Sequence, residues 1–367
     1  NAKETFATWR LTSLSKRAEI MFKFRQLVDE NRAKIADLVS IEHGKVPSDA
    51  AGELARGIEN IEFACGIPSL LKGGYSEQVS GGVDVYSIKQ PLGVVAGITP
   101  FNFPSMVPMW MYPIALALGN CFVLKPSEKV PLTSQIMARL TKEAGFPPGV
   151  FSLLNGTKEA VEALIDHPNV KAVGFVGSSP VALDVYARAT ALGKRALCLG
   201  GAKNHLIVVP DADEAITVRG VVDSFTGCAG QRCMAASVMI AVGDVDHLIE
   251  KIRKTAAELP IGPGMGAIID KGAMDRIRHH VDSAEKDGAK VIVDGRKSKA
   301  PAGHEKGFWF GPTIIDHANP SMACAREEIF GPVLTIIRVK NLADALSLES
   351  ENPFGNATSV FTTNGAV

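Results

Sequence analysis

The sequence lacks a net charge, a long apolar run and the cysteine spacing of a disulfide framework. Its 367 residues include 39 basic and 39 acidic side chains, and this balance argues against nucleic acid or an anionic membrane as the main partner. The longest apolar candidate, residues 106–118, contains two prolines and is shorter than the roughly 18 residues of a membrane span. With 46% apolar residues, the chain can bury sizeable cores.

The six cysteines show neither disulfide nor zinc-ligand spacing, at positions 65, 121, 198, 228, 233 and 324. We therefore expect reduced thiols and no metal site. Reduced thiols favour a cytoplasmic protein, with the mitochondrial matrix as the alternative. The chain starts without Met, and residues 361–367 contain no terminating element, so we expect the C-terminal end to be incomplete.

Apolar periodicity predicts helices over residues 13–45, 48–71 and 107–118, and a glycine-rich stretch with alternating valines predicts a β-hairpin. From residue 91 onward short apolar strands alternate with helices, and the rhythm restarts after Gly200. This alternation is typical of parallel sheets with helices on both faces and ligands at the carboxyl ends of the strands. We predict an α/β fold of two doubly wound, Rossmann-like domains and a hairpin. The first domain would comprise residues 1–72 and 91–198, the hairpin residues 73–90, and the second domain residues 199–367.

Two glycine-rich stretches are candidates for phosphate binding. Residues 262–266 follow a helix and contain a proline, so we do not predict a phosphate site there. Gly174-Phe175-Val176-Gly177-Ser178-Ser179 ends a strand and precedes a helix. Backbone N–H groups at such a turn can hold a pyrophosphate, and an ordinary tight connection is the alternative interpretation.

A cysteine in a glycine-rich loop is the strongest candidate for chemistry. Cys233 lies in Gly227-Cys228-Ala229-Gly230-Gln231-Arg232-Cys233-Met234, between a helix and a strand. The adjacent Arg232 leads us to expect a lowered thiol pKa and a reactive thiolate. The alternative is a buried free cysteine without a catalytic role.

Five ordered motifs resemble segments of the aldehyde dehydrogenase superfamily and cover most of the chain. They are Ala229-Gly230-Gln231-Arg232-Cys233, Pro100-Phe101-Asn102-Phe103-Pro104, Lys125-Pro126-Ser127-Glu128, Phe175-Val176-Gly177-Ser178 and Glu327-Glu328-Ile329-Phe330-Gly331-Pro332. The resemblance implies the fold of that family and a dehydrogenase that uses NAD. It also identifies the hairpin as an oligomerisation arm, which implies a homodimer or homotetramer.

The resemblance assigns a role to each matching residue. Cys233 would attack the aldehyde, and Asn102 with the Cys233 N–H would stabilise the oxyanion. Lys125 and Glu128 would hold the adenosine ribose, where a carboxylate favours NAD over NADP. The complete set of implied cofactor-binding residues is Thr99, Phe101, Lys125, Ser127, Glu128, Lys129, Gly177, Ser178, Glu328 and Phe330.

One position departs from the general family. Most members carry a glutamate base in Glu-Leu-Gly-Gly, and here Cys198 precedes Leu199-Gly200-Gly201. Water needs a base to attack a thioester, whereas a thiol reacts as its thiolate, so the change implies acyl transfer to coenzyme A. Gly201-Ala202-Lys203-Asn204-His205 resembles the coenzyme-A-acylating methylmalonate-semialdehyde dehydrogenase subfamily, in which residues matching Arg56 and Arg232 bind the substrate carboxylate.

Three alternatives remain at this point. The first is a base-driven dehydrogenase for another aldehyde class, which would release a free acid. The second is a catalytically silent relative with a structural or binding role. The third is a cysteine hydrolase using Cys233 and His205, although no orienting acid is evident near His205 in the sequence.

Overall fold

The computed structural model describes residues 1–367. The strands are β1 (Tyr75–Ser80), β2 (Val83–Tyr86), β3 (Val94–Ile98), β4 (Cys121–Lys125), β5 (Phe151–Leu153), β6 (Val170–Val176), β7 (Arg195–Leu199), β8 (Asn204–Val208), β9 (Ala236–Val242), β10 (Lys290–Val293), β11 (Thr313–Asp316), β12 (Val333–Val339) and β13 (Thr358–Phe361). The α-helices are α1 (Ala2–Trp9), α2 (Leu14–Glu30), α3 (Arg32–His43), α4 (Pro47–Cys65), α5 (Ile67–Leu70), α6 (Met106–Met109), α7 (Tyr112–Ala117), α8 (Pro131–Ala144), α9 (Lys158–Asp166), α10 (Ser179–Ala191), α11 (Glu214–Thr226), α12 (Asp246–Ala257), α13 (Lys271–Lys286), α14 (Ala323–Arg326) and α15 (Leu342–Ser350).

The chain forms two compact units, and the first consists of Asn1–Glu42 and Ala50–Gly200. Its five-stranded sheet has the order β5-β4-β3-β6-β7, and every pair is parallel. In chain order this is the 3-2-1-4-5 arrangement of a doubly wound fold. All five residues of β3 are buried, as expected of a central parallel strand covered on both faces.

Two predicted helices are divided in the structure. The segment predicted as one helix over residues 13–45 forms α2 and α3, which are separated at Asn31 with φ −97° and ψ 11°. The segment over residues 107–118 forms the short helices α6 and α7. A proline lacks the backbone N–H of a continuous helix and clashes with the preceding turn, and Pro113 at the start of α7 therefore separates the two helices.

The predicted hairpin is a two-stranded antiparallel sheet within the first unit. Tyr75 faces Tyr86 and Ser80 faces Val83 across the pair, and all residues of both strands are exposed. Gly82 adopts the left-handed conformation, with φ +75°, in the connecting turn, where glycine is favoured.

The second unit, His43–Asp49 with Gly201–Val367, is built on a six-stranded sheet. The order is β10-β11-β12-β9-β8-β13, and all neighbours are parallel except β10 and β11. Apolar clusters form around Val238 and Ile277, and around Val221 and Leu248. The predicted α/β class with two parallel-sheet, Rossmann-like units is therefore confirmed, with one antiparallel strand in the second.

Residues 43–49 differ from the predicted domain boundaries, which placed them in the first domain. In the structure they group with the second unit. The Ala267 N–H donates to the Gly44 carbonyl at 3.0 Å, and the Cys228 N–H donates to Asp49 Oδ2 at 2.7 Å. These hydrogen bonds join positions more than 170 residues apart, and local sequence patterns do not predict them. No helix has both the length and the apolar character needed to cross a membrane.

Candidate functional site

Three predicted cofactor-binding segments meet at the carboxyl edge of the first sheet. Thr99 follows β3, Lys125 ends β4, and Gly177 follows β6. Because the sheet order is β4-β3-β6, these ends lie side by side, and the Thr99 N–H donates to the Lys125 carbonyl at 3.1 Å. This edge is where doubly wound sheets bind dinucleotides.

A lysine–glutamate pair lies at the end of β4. Lys125 is 4% exposed, and its Nζ lies 3.1 Å from Glu128 Oε2. Burial raises the pKa of Glu128, but hydrogen bonds from its own N–H and from Lys125 outweigh this effect, so the pKa lies below its ordinary value. The carboxylate is ionised at neutral pH and can accept hydrogen bonds from ribose hydroxyls.

The same edge offers unsatisfied polar atoms and a close backbone approach. Thr99 Oγ1 is buried without a hydrogen-bond partner, and a bound ligand commonly satisfies such an atom. A Cβ on Gly177 would lie 2.6 Å from the Phe175 ring. Ser178 precedes α10 and makes no side-chain capping bond. These features fit a dinucleotide whose phosphates bind at the start of α10.

The remaining predicted residues of this unit lie in the two loops after β3 and β4. Asn102 is 4% exposed and Ser127 is 8% exposed. Ser127 Oγ accepts a hydrogen bond from the Lys129 N–H at 3.3 Å. Lys129 Nζ lies 5.2 Å from the centroid of the Phe101 ring, so a cation–π contact connects the two loops.

The predicted nucleophile lies at the amino edge of the second sheet. Cys233 precedes β9, Glu328 precedes β12, and Ala202 precedes β8. Those three strands are adjacent in the order β12-β9-β8, and the Ala202 N–H donates to Glu328 Oε1 at 3.3 Å. The topology therefore brings together Cys233 and Glu328, which are 95 positions apart in the sequence.

The loop before Cys233 has an unusual backbone. Cys228, Ala229 and Gly230 have φ values of 53°, 51° and 68°, which costs energy for the two residues with side chains. Gln231 is fully buried, and its amide donates to the Cys228 and Ala267 carbonyls. A Cβ on Gly230 would lie only 2.0 Å from the Gly331 carbonyl oxygen. The loop is thus tightly packed against neighbouring backbone.

The expectation that Arg232 lowers the Cys233 pKa is wrong. The Arg232 guanidinium donates to the Gly227 carbonyl at 2.9 Å and to the Asp223 carbonyl at 2.6 Å, at the C-terminal end of α11. The helix dipole also stabilises a cation at this end. Burial raises the pKa of the Cys233 thiol, and the Glu328 carboxylate adds to the rise. Only the N–H groups of Cys233 and Met234 lower it.

Glu328 is itself a buried carboxyl group. Burial raises its pKa above the ordinary value, whereas the Ala202 N–H and the charge of Lys203 lower it. Phe330, two residues later, has a φ of 57°, a left-handed conformation that is rare for an aromatic residue. Strain of this kind is concentrated at functional positions.

Arg56 and Cys198 belong to the first unit. Arg56 lies on α4 with its side chain 70% exposed, paired with Glu59 at 2.7 Å. Cys198 lies in β7 beside Phe175, where burial raises its thiol pKa. Substrate binding by Arg56 and by Arg232 stays a prediction.

Sequence reasoning missed several polar residues around Cys233. Asn204 and Asn356 both donate to the Cys233 carbonyl. Glu349, on α15, contacts His205 Nδ1 and is an acidic partner that the sequence did not reveal. Neither Asn356 nor Glu349 stands in a local motif, so the sequence carried no signal for them. No group of three or more His, Cys, Asp and Glu side chains is arranged to hold a metal ion.

Comparison with known proteins gives this geometry a context. The family model described as "Aldehyde dehydrogenase family" matches residues 1–367. The chain belongs to the aldehyde dehydrogenase family. The predicted resemblance is thus confirmed, and the two sheet edges described above are those of an aldehyde dehydrogenase fold.

Similar individual proteins within the family are named for malonate or methylmalonate semialdehyde. The malonate-semialdehyde dehydrogenase of Pseudomonas aeruginosa is 47% identical over 99% of this chain and 75% of its own length. The mitochondrial methylmalonate-semialdehyde/malonate-semialdehyde dehydrogenase [acylating] of Rattus norvegicus is 41% identical over all of this chain and 69% of its own. A Sinorhizobium meliloti 1021 structure complexed with NAD is 44% identical, with a TM-score of 0.97 over the whole chain and 76% of that structure.

Proposed function

We propose that the chain oxidises malonate or methylmalonate semialdehyde with NAD, releases CO2, and transfers the acyl group to coenzyme A. The observation that carries this proposal is Cys198 in β7, at the position where the family has its glutamate base. The two relatives compared above are 47% and 41% identical to this chain over the matched residues; both are named for these semialdehydes, and the second is named acylating.

The chemistry begins at Cys233. Its thiolate attacks the aldehyde carbon and forms a thiohemiacetal, whose oxyanion accepts hydrogen bonds from Asn102 and the Cys233 N–H. NAD, when bound, accepts the hydride from the thiohemiacetal carbon. An acyl thioester on Cys233 remains.

The substrate carboxylate is then beta to the thioester carbonyl. Its C–C bond breaks, CO2 leaves, and the enolate takes up a proton, so that an acetyl or propionyl thioester remains on Cys233. The thiolate of coenzyme A attacks the carbonyl carbon, and the Cys233 thiolate is the leaving group. Arginine forks bind carboxylates through two parallel hydrogen bonds, and Arg56 and Arg232 are the residues proposed to hold the carboxylate.

NAD fits the carboxyl edge of the first sheet. Lys125 and Glu128 supply a donor and an acceptor for the adenosine ribose, and the ionised Glu128 repels a 2′-phosphate. The S. meliloti relative was solved with NAD. In the second unit Glu328 is proposed to bind the nicotinamide ribose, with Phe330 packed beside the ring.

The test is NADH formation from malonate semialdehyde with and without coenzyme A. We expect turnover to depend on coenzyme A and to yield acetyl-coenzyme A. Equal rates in both conditions would instead support the base-driven alternative. Cys233→Ala is expected to abolish turnover, whereas the matched change Cys228→Ala, in the same loop, leaves the proposed nucleophile in place. Activity that survives Cys233→Ala would contradict the assignment.

A further inference from the structure

The peptide that joins Cys233 to Met234 is held by two side-chain amides. Asn204 Nδ2 donates to the Cys233 carbonyl oxygen at 2.7 Å, and Asn356 Nδ2 donates to the same oxygen at 2.9 Å. Asn204 is the first residue of β8, and Asn356 lies between α15 and β13. Both acceptor positions of this one carbonyl are therefore used.

The other end of this peptide carries the Met234 N–H. The Met234 N–H belongs to the same planar group as the Cys233 carbonyl, so fixing the carbonyl fixes the direction of the N–H. This N–H and that of Cys233 itself lower the pKa of the Cys233 thiol, against the larger effect of burial, which raises it. An N–H group close to the sulfur favours a thiolate over a thiol.

Asn204 is fixed in a single orientation by its other contacts. It is 3% exposed, its Nδ2 also donates to the Ala235 carbonyl at 3.1 Å, and its Oδ1 accepts from the Ala357 N–H at 3.1 Å. A flipped amide would place Oδ1 against two carbonyl oxygens, so the network determines the assignment. Asn204 thus connects the Cys233 loop to the loop that carries Asn356.

No cation is among the groups that lower the pKa of the Cys233 thiol. Arg232 donates to the end of α11, and the one charged side chain that influences the thiol is Glu328, which opposes ionisation. We propose that Asn204 and Asn356 are positioning residues that orient the Met234 N–H towards the Cys233 sulfur and so activate the nucleophile. The proposal rests on the assignment of Cys233 as nucleophile.

The experiment measures alkylation of Cys233 by iodoacetamide as a function of pH, without substrate. Mass spectrometry of the Cys233 peptide separates this thiol from the other five. The variants are Asn356→Ala and Asn356→Asp, at an exposed position. The matched control is Asn352→Ala, because the Asn352 amide donates to the Lys203 carbonyl at 2.8 Å in the same loop and does not touch the Cys233–Met234 peptide.

We expect the midpoint of the pH profile to rise by about one unit in Asn356→Ala and further in Asn356→Asp. The thiolate fraction at neutral pH then falls about tenfold. A more basic thiolate is also more nucleophilic, and this gain offsets about half of the loss on a logarithmic scale. Labelling at neutral pH should therefore slow about threefold. Asn352→Ala is expected to match the wild-type profile. In Asn204→Ser, which keeps a shorter donor, we expect an intermediate midpoint.

An unchanged midpoint in both Asn356 variants overturns the proposal, and so does an equal shift in Asn352→Ala. The labelling needs no turnover, so it is independent of the reaction assigned above. A wild-type protein that fails to oxidise the semialdehyde refutes the proposed function and leaves the labelling result standing. Normal turnover with unchanged labelling refutes only the role of the two asparagines.

Discussion

Lys203→Met probes a buried cation at the amino edge of the second sheet. Lys203 is 2% exposed, and its Nζ has no hydrogen-bond partner. Burial lowers its pKa from 10.5 to about 8, and three neighbouring acidic groups only partly oppose this effect, namely Cys324, Glu328 and Glu327. The ammonium ion is therefore poorly solvated in the fold.

The expected magnitude follows from this pKa. A pKa lowered from 10.5 to about 8 corresponds to about 3 kcal/mol at about 1.4 kcal/mol per unit. Methionine has a similar length and needs no solvation, so we expect Lys203→Met to raise the free energy of unfolding by about 2–3 kcal/mol near neutral pH. In the window between the two pKa values the unfolded chain binds more protons than the fold, so wild-type stability rises with pH there. The advantage of the variant should shrink accordingly.

The assay is urea unfolding followed by circular dichroism near neutral pH and again at a pH near that of free lysine. Lys125→Met is the matched control, because Lys125 is 4% exposed but pairs with Glu128 at 3.1 Å. Removing that pair should give no gain in stability. A Lys203→Met variant that is no more stable than wild type near neutral pH, or equally stabilised at both pH values, would refute the reasoning.

Three further predictions concern other parts of the two units. In Gly230→Ala the new Cβ would lie 2.0 Å from the Gly331 oxygen at a φ of +68°, so the stability measured by thermal unfolding should fall by about 2–4 kcal/mol. Gly288→Ala is the control: its φ is +98° but the space around it is open, so it should lower the stability by about 1 kcal/mol. The Arg338 guanidinium donates to Asp316 Oδ1 at 3.0 Å and to Oδ2 at 2.9 Å, so Asp316→Asn should lower the free energy of unfolding, measured in urea near neutral pH, by about 3 kcal/mol. Because the pKa of Asp316 lies below its ordinary value, the stability difference between wild type and variant should narrow as pH falls through that pKa. A difference that stays constant with pH would contradict the pairing. Cys198→Glu should increase release of free acid without coenzyme A, measured by chromatography of the products, whereas Cys198→Ser should not.

Much of the cofactor edge could be predicted from local sequence. The alternation of short apolar strands with helices indicated a doubly wound sheet, and Thr99, Lys125 and Gly177 stand directly at strand ends. Because carboxyl ends of parallel strands share one edge, their proximity follows from strand assignment alone. The remaining uncertainty was the order of the strands, which the periodicity of each strand does not determine.

The surroundings of Cys233 could be predicted only in part. Arg232 is adjacent in sequence, but its guanidinium binds carbonyls at the end of α11, so proximity along the chain was misleading. Asn356 and Glu349 come more than 100 residues after the residues they contact. Their approach depends on β13 pairing with β8, a long-range contact that no local pattern encodes.

The hairpin and the oligomer illustrate a different limit. Alternating valines and glycines predicted β1 and β2, and both strands form. Their side chains are exposed on both faces, including Val79 and Tyr86, so intramolecular burial does not explain the pattern. Association into a homodimer or homotetramer stays a prediction.

The acyl group on Cys233 provides the most direct test of the central claim. The protein is mixed with NAD and malonate semialdehyde without coenzyme A, and the Cys233 peptide is analysed by mass spectrometry. We expect an acetyl group on Cys233, already decarboxylated, that persists in buffer and disappears on addition of coenzyme A with formation of acetyl-coenzyme A. No adduct, an adduct on another cysteine, or discharge at the same rate without coenzyme A would contradict it.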